Sequence, residues 1–285
     1  METKHIYREN FFTTGRGVKI YYQYWLPSDN HRANLIFVHG MGEHSGRYQN
    51  IVNYLCPKGF ALFGLDLQGH GKSEGKRGHV AHLSDFAGQI EQLINTTKDL
   101  RDNKDLYLYG HSMGGLIVLD YLLQYPNREL SGVIFTSPAF DIALKIPAWK
   151  MCMGKLISVL APSVTMNNGI DPDDLSHDKI VVEKYKKDEL VHDRASAGLF
   201  FSMLSTIKKA NLKAPDIHTP VLLMLGDKDN IISKDGALSL FNKLGSNDKK
   251  SHICPGSSHE LLNEIDKENN LDIIRQWLEP RLDKK

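Results

Sequence analysis

Apolar residues along the chain fall into two kinds of run. Short blocks apolar at nearly every position recur at 34–39, 61–66, 106–109, 132–136 and 221–225. Strands of this kind must bury both faces, as in a parallel sheet covered by helices on each side. Between the blocks lie longer stretches of helical period. Phe86, Ile90, Leu93, Ile94 and Thr97 step by three and four, which places them on one face of a helix. The pattern predicts helices over 47–56, 83–100, 113–125, 234–244 and 271–282. Residues 18–25 read as an antiparallel lead-in strand, and 251–254 as a short last strand. Strand–helix alternation of this type predicts an α/β fold with a mostly parallel central sheet flanked by helices.

The alternation stops between about Pro138 and Pro220, where several helices and polar loops are expected instead. No Gly/Ser-rich or Pro-rich linker bounds that stretch, and strand 221–225 cannot form a sheet without the strands before it. The expectation is one domain, with a core of 1–137 and 213–285 and a helical cap inserted at 138–212. At 285 residues the chain can bury a large core without covalent staples. Its 35 Lys and Arg against 34 Asp and Glu leave a charge of +1, so a nucleic-acid partner is not expected. Three widely spaced cysteines suggest neither a disulfide framework nor a zinc site, and with no signal-like start they point to the cytoplasm. No apolar run approaches the ~20 residues that span a bilayer.

Gly110-His111-Ser112-Met113-Gly114-Gly115 stands between a predicted strand and a predicted helix. This is the setting of a G-x-S-x-G nucleophile elbow, whose tight turn needs small neighbours and lifts the serine to a helix N-terminus. Serine needs a base, and the base a carboxylate to orient it. In this fold the order is serine, acid, histidine, on loops that follow later strands. Asp229, after strand 221–225, and His259, after strand 251–254, fall where that order requires. Asp227 on the same loop is a second candidate acid, and His252, inside the last strand, a weaker base.

The amide of Met113, at the start of the helix after Ser112, is one expected oxyanion donor. The loop His39-Gly40-Met41-Gly42-Glu43-His44 follows strand 34–39, and its Met41 amide is the expected second donor. A dinucleotide reading of its glycines fails, because the third glycine position holds Ser45. His39 and His44 flank a glycine turn with no third ligand at useful spacing, so no metal is expected. His39 is expected to brace the oxyanion loop from beneath, and Asp66 to hold the Gly69-His70-Gly71 loop as scaffold.

With these residues assembled, the chain resembles the α/β-hydrolase superfamily over nearly its whole length. It is most similar to the monoglyceride lipase branch, which also carries the names serine aminopeptidase S33 and lysophospholipase-like. The resemblance rests on residues 39–48, on 66–78 and on 110–115, with similar stretches at 171–176 and 183–188 in the expected cap. It implies a triad of Ser112, Asp229 and His259, oxyanion amides on Met41 and Met113, and no cofactor. It further implies a polar pocket for a glycerol head formed by Glu43, Arg47 and Tyr185, although Glu43 and Arg47 read equally as an internal ion pair. Two positions depart from the animal members: Leu262 replaces a histidine at the glycerol end, and Ile232 replaces a reactive cysteine near the acid.

The stretch 144–160 is apolar nearly all round, interrupted by Lys145, Lys150, Lys155 and Ser158. Such a helix either buries both sides or meets something other than water. It would line an acyl tunnel and lean on a bilayer, or simply pack on the core; residues 199–204 would form tunnel wall or cap core. The resulting expectation is a serine hydrolase that cleaves monoacylglycerols, or similar single-chain lipid esters, to fatty acid and alcohol. The alternatives are a lysophospholipase or broad esterase or acyltransferase with the same triad, and an inactive ligand-binding hydrolase. The expected location is cytoplasmic, with peripheral membrane contact through the cap; the sequence leaves oligomeric state open.

Overall fold

A computed structural model describes residues 5–141 and 147–282. The first strand, β1 (His5–Thr13), is a hairpin partner of β2 (Lys19–Pro27). Next come β3 (Ala33–Val38), α1 (Gln49–Leu55), β4 (Phe60–Leu65) and α2 (Ser84–Thr96). They are followed by β5 (Asp105–His111), α3 (Met113–Gln124) and β6 (Gly132–Thr136). The segment after β6 holds α4 (Ala148–Leu160), β7 (Thr165–Asn167), α5 (Lys179–Lys187), β8 (Arg194–Ser196) and α6 (Ala197–Lys213). Alternation resumes with β9 (Val221–Gly226), α7 (Lys234–Lys243), β10 (Lys249–Cys254) and α8 (Lys267–Leu278).

Eight of these strands form one sheet in the order β1-β2-β4-β3-β5-β6-β9-β10. The β1–β2 and β2–β4 pairings are antiparallel and the rest parallel. The side-chain period of two divides the core strands between two layers. Ile36, Val38, Leu108, Val133, Phe135, Leu223 and Leu225 pack toward α2, α3, α6 and α7. Leu35, Phe37, Tyr107, Tyr109, Ile134, Leu222 and Met224 pack toward α1 and α8. Both faces are dry, which is why these strands read as unbroken apolar blocks rather than alternating ones.

Several boundaries differ from the sequence reading, each for a local reason. The helix expected over 47–56 begins as a 3₁₀ turn at Ser45–Tyr48, where the His44 side chain accepts from the Gly46 amide. The last helix starts four residues early, at Lys267, and ends at Leu278 before a short turn containing Pro280. Strand β1 was not foreseen: almost all of its residues are exposed, so it lacks the apolar block that marks the others. The segment after β6 also contains a small antiparallel pairing, β7 with β8. Of the stretch expected as an apolar lid helix, Leu144, Lys145 and Ile146 lie outside the described residues. The α6 residues Leu199 and Met203 are buried in the core with α2 and α3, so their inner face is core packing.

Register brings the parallel strands to a common edge. Val38 pairs with Gly110, Gly110 with Phe135, Thr136 with Met224, and Gly226 with Cys254. The loops that carry Met41, Ser112, Asp229 and His259 therefore leave the sheet side by side, at the carboxyl ends where α/β sheets place their sites.

Candidate active site

Ser112 occupies the sharp turn between β5 and α3, with φ 53° and ψ −121°. This backbone region is costly for a residue with a side chain, and persists only where the surroundings enforce it. The enforcement is visible in the glycines. A Cβ on Gly114 would stand 2.2 Å from the Val38 carbonyl oxygen, and one on Gly110 would meet the Gly114 carbonyl at 2.7 Å. Helix α3 is thereby seated against β3 as well as β5. Its first residue, Met113, presents an amide free of intrahelical partners. Neither the Met113 nor the Met41 amide donates to an acceptor among the described residues.

His259 and Asp229 meet with His259 Nδ1 2.8 Å from Asp229 Oδ2, both side chains almost fully buried. The second oxygen of Asp229 accepts the amides of Ile231 and Ile232 at 2.9 and 3.2 Å. Burial alone would raise the Asp229 pKa, but His259 and these two amides outweigh it and hold the carboxyl below its usual range. Burial would likewise lower the His259 pKa, yet the adjoining Asp229 charge raises it. Asp227 points elsewhere: it is exposed and accepts the Gly256 amide at 2.7 Å. His252 lies within β10 and is not part of the group. Of the two candidate acids on this loop, the structure brings Asp229 to the histidine.

Ser112 and His259 line one narrow cavity, together with Gly40, Met41, Glu43, His111, Ile170, Leu175, Tyr185 and Glu260. The oxyanion-loop residue Met41 and the elbow serine thus face the same space. His39 lies beneath that loop, fully buried. The Leu67 amide donates to its Nε2 at 2.9 Å, so its proton is on Nδ1, which donates to the Gly40 carbonyl at 2.7 Å. Burial holds His39 below the ordinary histidine pKa. Asp66 accepts the Ser45 amide and hydroxyl and the Lys72 amide at 2.8, 2.5 and 2.8 Å, and is scaffold. His44 is paired with Asp188 at 2.9 Å. Among the described residues, no three His, Cys, Asp or Glu side chains gather as a metal site.

Glu43 and Tyr185 line the cavity, and Arg47 lies against both. Glu43 Oε1 accepts the Gly40 amide at 2.6 Å and the Tyr48 hydroxyl at 2.8 Å, while Oε2 accepts Arg47 at 2.8 Å. Burial would raise the Glu43 pKa, but Arg47 and the Gly40 amide help hold it at about 2. Arg47 lies 4.6 Å from the Tyr185 ring centroid. Glu43 and Arg47 form the internal ion pair, and Glu43 and Tyr185 line the cavity.

Two neighbours escaped the sequence reading. Glu260, the residue after His259, binds Arg47 through both oxygens at 2.5 and 2.7 Å. Its partner is 213 positions away, so no spacing rule reveals the pair. The His111 ring centroid lies 4.8 Å from that of His259, and its Nδ1 is 3.1 Å from the Thr136 carbonyl oxygen. Burial and the adjoining His259 push His111 down to about 4, so it stays neutral beside the base at ordinary pH. His111 lay in plain view inside the elbow motif, but nothing in the sequence shows that it touches His259.

Residues 29–266 match the family model described as serine aminopeptidase, S33. A monoacylglycerol lipase from Mycolicibacterium smegmatis is 31% identical over 271 residues, 95% of this chain and 96% of that protein. An uncharacterized abhydrolase domain-containing protein of Dictyostelium discoideum is 34% identical over 91% of this chain, which spans 27% of its length. The crystal structure of Paleococcus ferrophilus monoacylglycerol lipase superposes with a TM-score of 0.81 at 32% identity, covering 98% of this chain and 99% of that one.

Proposed function

We propose that this chain, which belongs to the serine aminopeptidase S33 family in the monoglyceride lipase branch of the α/β-hydrolases, hydrolyses monoacylglycerols through an acyl-enzyme on Ser112. The observation that carries the reading is a strained elbow serine that lines one cavity with Met41 and with a histidine paired to a buried aspartate. His259, held in one orientation by Asp229, takes the Ser112 proton as the hydroxyl oxygen attacks the ester carbonyl. The Met41 and Met113 amides hold the oxyanion, aided by the N-terminal dipole of α3. His259 then protonates the departing alcohol, and water, activated by the same base, releases the fatty acid.

Residues 138–212 act in this reading as a cap over a single domain whose core is 1–137 and 213–285. Ile170, Leu175 and Tyr185 line the cavity with Ser112, and that cavity is too narrow as it stands for a lipid ester. The cap must shift to admit one. Its helix α4 carries Trp149, Met153 and Leu156, exposed by 62%, 56% and 60%, along one stripe at helical spacing. A solvent-facing stripe of this size suits a lipid surface. No described helix is long and apolar enough to cross a membrane, so the contact is peripheral. The polar group of Glu43, Arg47 and Tyr185 faces the head-group end.

Labelling by a fluorophosphonate probe, with the adduct mapped by peptide mass analysis, tests the nucleophile. The adduct is expected on Ser112 and absent from Ser112→Ala. A panel of monooleoylglycerol, lysophosphatidylcholine and p-nitrophenyl butyrate then tests the substrate class. Faster cleavage of monooleoylglycerol supports the reading, and faster cleavage of lysophosphatidylcholine replaces it with a lysophospholipase.

A further inference from the structure

The cavities around the head-group end carry an unbalanced charge. Among the described residues, Glu43, Arg47 and Glu260 are the Asp, Glu, Lys and Arg side chains that line the space at Ser112 and the adjoining narrow cavity at His111. One guanidinium thus faces two carboxylates, a formal charge of −1. The guanidinium is also engaged already: it binds both oxygens of Glu260 and one of Glu43, and its face lies over Tyr185. It has little left to offer an incoming anion. His111, held neutral, adds no charge. A separate pocket beside Arg47 is lined by Lys184 and Asp188, of opposite signs.

The geometry also says which part of a substrate meets this charge. The departing alcohol must take its proton from His259, so it lies on the His259 side of the ester. Glu260 is the next residue, and its amide is fixed to the Leu175 carbonyl at 2.8 Å.

We propose that Glu260 is a specificity residue: together with Glu43 it gives the leaving-group cavity a net negative charge that excludes esters whose alcohol carries a phosphate or sulfonate and admits uncharged alcohols. The assignment rests on the hydrolase reading of Ser112 and deepens it by naming what the site rejects. At an effective dielectric of about 20, unit charges about 7 Å apart repel enough to weaken binding roughly fiftyfold.

The test uses the full chain and two matched pairs of esters. One pair is monooctanoylglycerol and its phosphate; the other is 2-naphthyl butyrate and its 6-sulfonate, which needs no glycerol recognition. The readout is the ratio of kcat/KM, neutral over anionic, corrected for the Ser112→Ala background. The ratio is expected to exceed tenfold in the wild type and to fall at least fivefold in Glu260→Gln, which removes one charge at constant shape. Should Glu260→Gln fail to fold, Glu43→Gln, which removes the other carboxylate's charge, decides, with the same fall in the ratio expected. Wild-type ratios within twofold of unity, or a ratio unchanged by the charge-removing variant, would each overturn the assignment. A protein that takes up fluorophosphonate at Ser112 but cleaves both naphthyl esters equally loses this proposal alone. One that is neither labelled nor active on any ester loses the hydrolase reading as well.

Discussion

As the proposed base, His259 must be unprotonated, and Asp229 raises the pH at which that condition fails. The raised pKa places the acid limb of kcat/KM above the ordinary histidine value of 6.5, with activity lost as pH falls through it. Asp229→Asn removes the charge that raises the pKa. Its acid limb should move to lower pH while the plateau falls by about 10³–10⁴-fold, as the imidazole loses its orientation. A pH–rate profile of both proteins on a soluble ester checks shift and drop together. At this scale the residues proposed to react were legible because each follows a recognisable strand. Asp229 and Asp227 share one loop, and only the turn that gives Asp229 the Ile231 and Ile232 amides separates them. Glu260 was not legible, since its meaning depends on an arginine 213 positions away.

Between elements, Arg47 joins the loop after β3 to the loop after β10 through Glu43 and Glu260. The Arg47 side chain is 9% exposed and both carboxylates 5%, so removing the cation leaves two buried charges facing each other. Arg47→Met is expected to destabilise the fold by about 3–5 kcal/mol, read as a lower midpoint in urea unfolding. Helix α4 supplies a contrasting case. Its all-round apolar character was visible in the sequence, but which face turns outward depends on packing against α6, where Gly154 closes on Phe201. The exposed stripe is predicted to bind vesicles. Trp149→Ser and Leu156→Ser should each lower co-sedimentation with phosphatidylcholine vesicles several-fold and leave the unfolding midpoint within about 0.5 kcal/mol of wild type. Strand β1 lay below the threshold of pattern reading: it pairs residue for residue with β2, yet an exposed edge strand needs no apolar block.

In the whole molecule, the sheet's shared carboxyl edge makes one site from residues spread between positions 41 and 259. The apolar blocks foretold the parallel strands, and their order in the chain foretold which loops would meet; the crossing of β3 to the interior of the sheet, between β4 and β5, follows from packing that no local pattern records. Ile170, Leu175 and Tyr185 line the cavity at Ser112, which places the middle segment at the proposed site. In the proposed reaction the attacking atom is the Ser112 hydroxyl oxygen. The most direct measurement is the release of glycerol and oleate from monooleoylglycerol by wild type and Ser112→Ala, each shown to unfold at the same midpoint. The account predicts equal amounts of the two products from the wild type and a rate at least about 10³-fold lower from Ser112→Ala. A Ser112→Ala protein that cleaves monooleoylglycerol at the wild-type rate would contradict it.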